Sequence, residues 1–326
     1  MGTGHRTARL ALVVGLVLAG TGVAHADETT GCRVQGWHKV GATAFLGADA
    51  LSRSQGVTSD GHGWVFSWQA GLSRTDDAYT DQAVGTLPPD RAVDNPQADP
   101  ASGRSHLGGN HIGDIDVHDG LVYAPVEDGA QSLGVTRVND PEYQRPFISL
   151  FDAATLRYTG RSYPLPLELQ AAGVPWVAVD HRTGEVYSAE WEMPHDRLNV
   201  YGFDADRTHL GFRRFVQLVY PPSLGAGFHL SRLQGLKVVG HTAYASRDDA
   251  DKTVFAIDLR SGVVTPLFAL APGVPAELEG LAVRPTTDGA LLHVLVVLHN
   301  KVDTSGDAKD IRTELWHYAP PRSCDD

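Results

Sequence analysis

The sequence predicts an all-β fold, a five-bladed β-propeller, on three observations. A strand-turn-strand pattern recurs five times, 35 Gly and 19 Pro in 326 residues supply many turns, and the only two cysteines stand at opposite ends of the chain. With 42% hydrophobic and 20% charged residues the chain can bury a large core and does not have the composition of a disordered protein. Its net charge of -12 argues against nucleic acid, whose sequence-independent binding needs a basic surface that displaces counterions.

Taken in chain order, the first element is a leader. Arg6 and Arg9 precede an apolar run from Leu10 to Val23 that ends in Ala24-His25-Ala26, the plan of a secretory signal peptide cleaved before Asp27. Its apolar stretch is broken by Gly15, Gly20 and Gly22 and falls short of the roughly 20 residues that span a bilayer. Residues 1–26 are therefore expected to be removed, leaving 27–326 as one propeller domain, secreted, extracellular, monomeric and without a membrane span. In an oxidising compartment the pair Cys32 and Cys324 reads as one disulfide joining the ends of the domain.

The repeats follow. They begin at Gln55, Asp114, Pro175, Gln234 and Glu279, spaced 59, 61, 59 and 45 residues apart, and each pairs an apolar strand with a second one across a tight polar turn. Two further β-like runs follow most of them, for example Leu198 to Asp204 and Phe212 to Val219, rich in β-branched and aromatic residues. Four strands per repeat, set radially, make a propeller blade. The fifth repeat supplies three strands, ending near Tyr318, and Val34 to Val40 is the expected fourth, which would close the ring beside the two cysteines. Six blades remain the alternative count, with a divergent blade between residues 77 and 110. That interval is rich in Pro, Asp, Gly and Ser and otherwise reads as a long surface loop or a lid.

In a blade, the start of the innermost strand and the end of the second strand meet at one mouth of the central channel. The starts place Gln55, Asp114, Gln234 and Glu279 there, with His111 leading into Asp114, and the strand ends place Trp68, Glu127, Glu190 with Trp191, Arg247 with Asp248, and Asn300. Several carboxylates at one narrow mouth must share protons, find cations or hold a metal. Oxygen donors with amides suit calcium, so Asp114, Glu127, Glu190, Asp248, Glu279 and Asn300 are the candidate calcium ligands. His111, with an imidazole that titrates near neutrality, is the candidate acid or base, and Asp114 is its expected catalytic partner. Gln55, Trp68, Trp191, Gln234 and Arg247 are candidate contacts to a small-molecule or glycan ligand. Asp116 lies two residues deeper on the same strand face, and His118, His181, His241 and His293 read as turn or packing residues. No nucleophile elbow, phosphate-binding loop or dinucleotide fingerprint is present.

The acidic, amide-containing mouth resembles that of the calcium-dependent propeller lactonases and esterases of the gluconolactonase and paraoxonase type. That resemblance implies a calcium ion held by Glu127, Glu190, Asp248 and Asn300, with His111 moving the proton. The starts Gln55-Gly56-Val57 and Gln234-Gly235-Leu236 are similar to the Gln-Gly-Leu strand starts of plant-type glutaminyl cyclases. The expected function is a secreted, calcium-binding hydrolase of an ester, lactone or similar small substrate. The alternative is a non-catalytic extracellular propeller that binds a glycan or protein.

Overall fold

The computed structural model describes residues 36–69, 71–85, 111–127, 146–171, 173–286, 289–299 and 311–321. The first strand is β1 (His38–Leu46), followed by a single helical turn, Ala48–Leu51. Blade one consists of β2 (Gly56–Ser59), β3 (Trp64–Trp68), β4 (Gly71–Thr75) and β5 (Asp81–Gly85). Blade two has a split inner strand, β6 (His111–Ile112) and β7 (Asp116–His118), both paired with β8 (Leu121–Glu127), then β9 (Phe147–Asp152) and β10 (Tyr158–Pro164). Blade three runs β11 (Ala178–Val179), β12 (Val186–Ser188), β13 (Arg197–Phe203) and β14 (Leu210–Gln217). Blade four runs β15 (Leu233–Val239), β16 (Thr242–Arg247), β17 (Thr253–Asp258) and β18 (Val264–Ala269), and blade five β19 (Ala276–Thr286), β20 (Gly289–His299) and β21 (Ile311–Ala319). Neighbouring strands within every blade are antiparallel, so the five sheets are the all-β, five-blade arrangement expected from the repeats.

Two sequence expectations change. β1 pairs antiparallel with β21 as the outer strand of blade five, Ala42 opposite Trp316, but it occupies His38–Leu46 rather than Val34 to Val40. Within 77–110, Asp81–Gly85 is the fourth strand of blade one, hydrogen-bonded to β4, and not part of a loop or lid. Residues 86–110, Asn300 and both cysteines, Cys32 and Cys324, lie outside the described residues.

The apolar residues sort into five buried clusters, each where two neighbouring blades face one another. Val65 and Leu72 meet Ile115 and Val126 between blades one and two, Tyr123 and Ile148 meet Val177 and Tyr201 between two and three, and Trp176 and Tyr187 meet Leu236 and Phe255 between three and four. Val254 meets Leu281 and Trp316 between four and five, and Phe45 and Leu315 meet Val57 and Phe66 between five and one. Alternation along each strand sends these side chains into the clefts between sheets. Serines near the ends of second strands tie the blades at the axis. Ser67 Oγ donates to Gly113 O (2.7 Å) in the next blade, and Ser246 Oγ to Glu279 O (2.8 Å).

Candidate functional site

The repeated Gly in Gln55-Gly56-Val57, Gln234-Gly235-Leu236 and Glu279-Gly280-Leu281 has a steric cause at the axis. Asp114, at the equivalent position of blade two, is fully buried, and its side chain fills the space those glycines leave. A Cβ on Gly280 would lie 2.3 Å from Asp114 Oδ1, one on Gly235 2.7 Å from Oδ2, and one on Gly56 2.5 Å from the Asp114 Cα. The carboxylate accepts from Val57 N (2.9 Å) and from Lys237 Nζ (2.6 Å). Burial pushes its pKa up to about 7, against the pull of Lys237. Asp114 is thus a plug within the channel and not a group at its mouth. Below it, as strand alternation requires, Asp116 accepts from Thr58 Oγ1, Val117 N and Val179 N, all at 2.9 Å.

Above the plug, inner-strand starts and second-strand ends meet as expected, with His111 opposite Glu127 and Leu233 opposite Arg247. His111 Nε2 is 2.8 Å from Gln55 Oε1. An amide oxygen only accepts, so Nε2 carries the proton, and Nδ1 faces Glu127 Oε1 at 3.2 Å without hydrogen-bond alignment. The carboxylate beside His111 is therefore Glu127 and not Asp114. The other oxygen of Glu127 accepts from Val174 N (2.5 Å) in blade three. On the far side of Gln55, whose carbonyl accepts from Gly280 N (3.0 Å), stands Glu279.

Glu279 is 2% exposed, its Oε2 has no hydrogen-bond partner among the described residues, and its carboxyl is hydrogen-bonded to that of Glu277, an exposed residue two positions earlier on β19. Desolvation first, then the charges of Glu277, Asp248 and Asp114, hold the Glu279 carboxyl well above the usual range. Asp248 is 5% exposed and contacts Lys252 Nζ, Arg232 (3.3 Å) and Leu278 N (2.9 Å). This mouth thus combines a buried carboxyl with a raised pKa, cation-paired and amide-bound carboxylates, and an imidazole.

The remaining sequence candidates take simpler places. Trp68 and Trp191 are half-buried, Trp191 with the Arg232 guanidinium 5.5 Å from its ring, and Trp176 belongs to the core. Gln234 is half-buried beside a β-bulge between Leu233 and Gly235. Arg247 pairs with Asp249 (3.1 Å), donates to Ser231 O (3.2 Å) and covers the Phe228 ring. Glu190 lines a shallow depression with Leu169, His195 and Arg197. Of the candidate calcium ligands, Asp114 is engaged by Lys237, Asp248 by Lys252 and Arg232, and Glu279 by Glu277, while Asn300 lies outside the described residues. Among the described residues no group of three or more His, Cys, Asp or Glu side chains is placed to hold a metal ion.

No protein-family model matches the chain, and no curated protein matches it. Solved structures do. A mutant of the GH43 protein BlXynB from Bacillus licheniformis superposes with a TM-score of 0.50 at 14% identity over 87% of this chain and 55% of that one. An exo-beta-1,3-galactanase from Clostridium thermocellum gives a TM-score of 0.47 at 10% identity, over 86% of this chain and 62% of that one. The likeness to BlXynB is one of fold. This chain spans little more than half of that protein's length.

At the opposite end of the channel the five inner hairpins surround a cavity of about 500 Å³. Lys237 and Asp116 lie at its base and His118, His181 and Arg182 along its side. Lys237 and Glu277 were not among the sequence candidates. The signal for Lys237 is its place in Leu236-Lys237-Val238, a cation inside an apolar inner strand. The signal for Glu277 is its i, i+2 spacing to Glu279, which puts both on one face of a strand.

Proposed function

We propose that this propeller hydrolyses glycosidic bonds at the mouth formed by the inner-strand starts, with Glu279 as general acid. The observation that carries the reading is the Glu279 carboxyl, buried, held well above the usual carboxyl range by desolvation and neighbouring acids, and with one oxygen unpartnered among the described residues. Glycoside hydrolysis needs two carboxyl groups in opposite states, an acid that protonates the leaving oxygen and a carboxylate on the other side of the anomeric carbon. Glu279 supplies the first. Glu127, fixed by Val174 N and flanked by His111, supplies the second as general base toward water. The proton leaves Glu279 for the glycosidic oxygen as the bond to the anomeric carbon breaks, and the attacking water gives its proton to Glu127. Glu277 then returns a proton from solvent to Glu279, and Glu127 releases its proton to solvent.

The shared fold of a GH43 protein supports this choice of substrate class over the ester or lactone expected from the sequence. No metal takes part in the reading. The leader at residues 1–26 fits export to where polymeric glycans are met. In culture medium, the intact mass of the protein should show cleavage before Asp27 and the loss of two hydrogens on pairing Cys32 with Cys324.

The test is a panel of neutral oligosaccharides and aryl glycosides, with aryl esters and lactones beside them, read by product analysis. Release of reducing sugar by the wild-type chain and its loss in Glu279→Gln is the expected result. Cleavage of esters or lactones alone would refute the assignment. A non-catalytic glycan-binding role is the second reading, favoured by the half-buried Trp68 and Trp191 at the same mouth. It predicts saturable binding with no product.

A further inference from the structure

We infer that the hairpin mouth of the channel is a second binding site, for a small neutral polyhydroxylated ligand of monosaccharide or disaccharide size. The Asp114 plug, locked by Gly56, Gly235 and Gly280, separates this cavity from the acid-base mouth, so the two sites cannot share one small ligand. At about 500 Å³ the cavity is within the range of small-molecule sites. Its wall is largely apolar, with Val239, Val283 and Pro285 among the residues that line it.

The base of the cavity chooses the chemistry. Lys237 is 4% exposed, and its ammonium donates to Asp114 Oδ2 (2.6 Å) and Leu236 O (3.2 Å), leaving the third of its N–H groups without an acceptor among the described residues. Asp116 is 2% exposed; Oδ1 accepts two bonds and Oδ2 one, leaving an acceptor position on Oδ2. One spare donor and one spare acceptor, both buried, are matched by hydroxyl groups, which accept and donate.

Charges on the rim are already neutralised in pairs. Arg182 binds Asp180 (3.2 Å) and Gly240 O (2.7 Å), Arg74 binds Asp60 (2.7 Å), and Arg207 binds Asp119 (2.8 Å). His118, 5.3 Å ring to ring from His181, is kept neutral chiefly by burial. An anionic ligand would meet Asp116 at the base, and a cationic one would meet Lys237. A neutral polyol meets neither penalty.

The experiment is saturation-transfer NMR and calorimetric titration of the full chain with neutral pentoses, hexoses and disaccharides, and with their uronic acid and amino-sugar counterparts. The variants are Val239→Trp, Asp116→Asn and Glu279→Gln. Val239 is 41% exposed on the cavity wall, so the indole can fill the space without disturbing the Lys237–Asp114 pair. Saturable binding of a neutral sugar that persists in Glu279→Gln, disappears in Val239→Trp and weakens about tenfold in Asp116→Asn is the expected result. Binding that survives Val239→Trp or is lost in Glu279→Gln puts the sugar at the other mouth and overturns the proposal. So does tighter binding of the charged counterparts, or no saturable binding up to the solubility limit. Hydrolysis by the wild-type chain is a separate readout, so failure of the acid-base assignment leaves this test intact.

Discussion

Acid should weaken the fold through one histidine pair in blade five. His293 on β20 stands directly opposite His317 on β21, with their Nδ1 atoms 2.7 Å apart. His317 continues to Thr43 on β1 through Nε2 (3.2 Å), and the edge of the His293 ring meets Trp64 at 4.8 Å between centroids. One proton fits between the two rings and a second does not. Burial first, then His317 and Arg284, lowers the His293 pKa from 6.5 to about 3, while Lys39 and Arg284 also act against charge on His317. As pH falls below 6.5 the unfolded chain takes up a proton that the folded chain refuses. Stability therefore drops by about 1.4 kcal/mol per pH unit, or about 2 kcal/mol between pH 7.5 and 5, with the loss continuing toward pH 3. Asp114 works in the other direction. Its folded pKa of about 7 against 3.8 makes the folded chain the better proton acceptor between those values, so its contribution falls as pH rises. The two are separated by His293→Phe, which keeps an aromatic ring against Trp64 and removes the titration. Urea unfolding followed by tryptophan fluorescence at several pH values gives the stability gap between wild type and variant. The gap should shrink by about 2 kcal/mol from pH 7.5 to 5. A gap that does not change with pH would refute the reasoning.

Other perturbations bear on the axis. Gly56→Ala and Gly280→Ala press a Cβ to 2.5 Å and 2.3 Å from Asp114 and should each cost roughly 3 kcal/mol in urea unfolding, whereas Gly41→Ala, 3.4 Å from His317, should stay within about 1 kcal/mol. Lys237→Met strands a buried carboxyl and should cost about 3–5 kcal/mol, most of which the double variant Lys237→Met with Asp114→Asn recovers; an equal loss in both would show that the ion pair is not what matters. Millimolar calcium or a chelator should move Tm by less than about 1 °C, and a larger calcium-dependent rise would contradict the engagement of Asp114 and Asp248 by Lys237 and Lys252.

The blades were legible because hairpins repeat a local pattern, and so was the meeting of inner-strand starts with second-strand ends at one mouth, although Glu127 and Glu279 were read there as calcium ligands and not as an acid-base pair. His111, Gln55, Glu127 and Glu279 follow from that rule alone. Depth along the axis was not legible. Whether Asp114 stands at the mouth or plugs the channel depends on how closely Gly56, Gly235 and Gly280 from three other blades approach it, and no local pattern encodes that distance. Lys237 escaped notice because its partner lies 123 positions away, in another blade. The partners of the candidate calcium ligands were hidden for the same reason, since Lys237 reaches Asp114 from another blade. β1 moved from its expected span because Phe45, which packs edge-on against Phe66 and Tyr79, draws the later part of the segment into the core.

The most direct test of the acid role of Glu279 varies the leaving group. On a glycoside of the responsive sugar, Glu279→Gln should lower kcat about 10²–10⁴-fold when the leaving alcohol is poor. The same variant should approach wild-type rates when the leaving group is dinitrophenolate, which departs without a proton. Equal loss on both substrates, or no loss on either, would contradict the account.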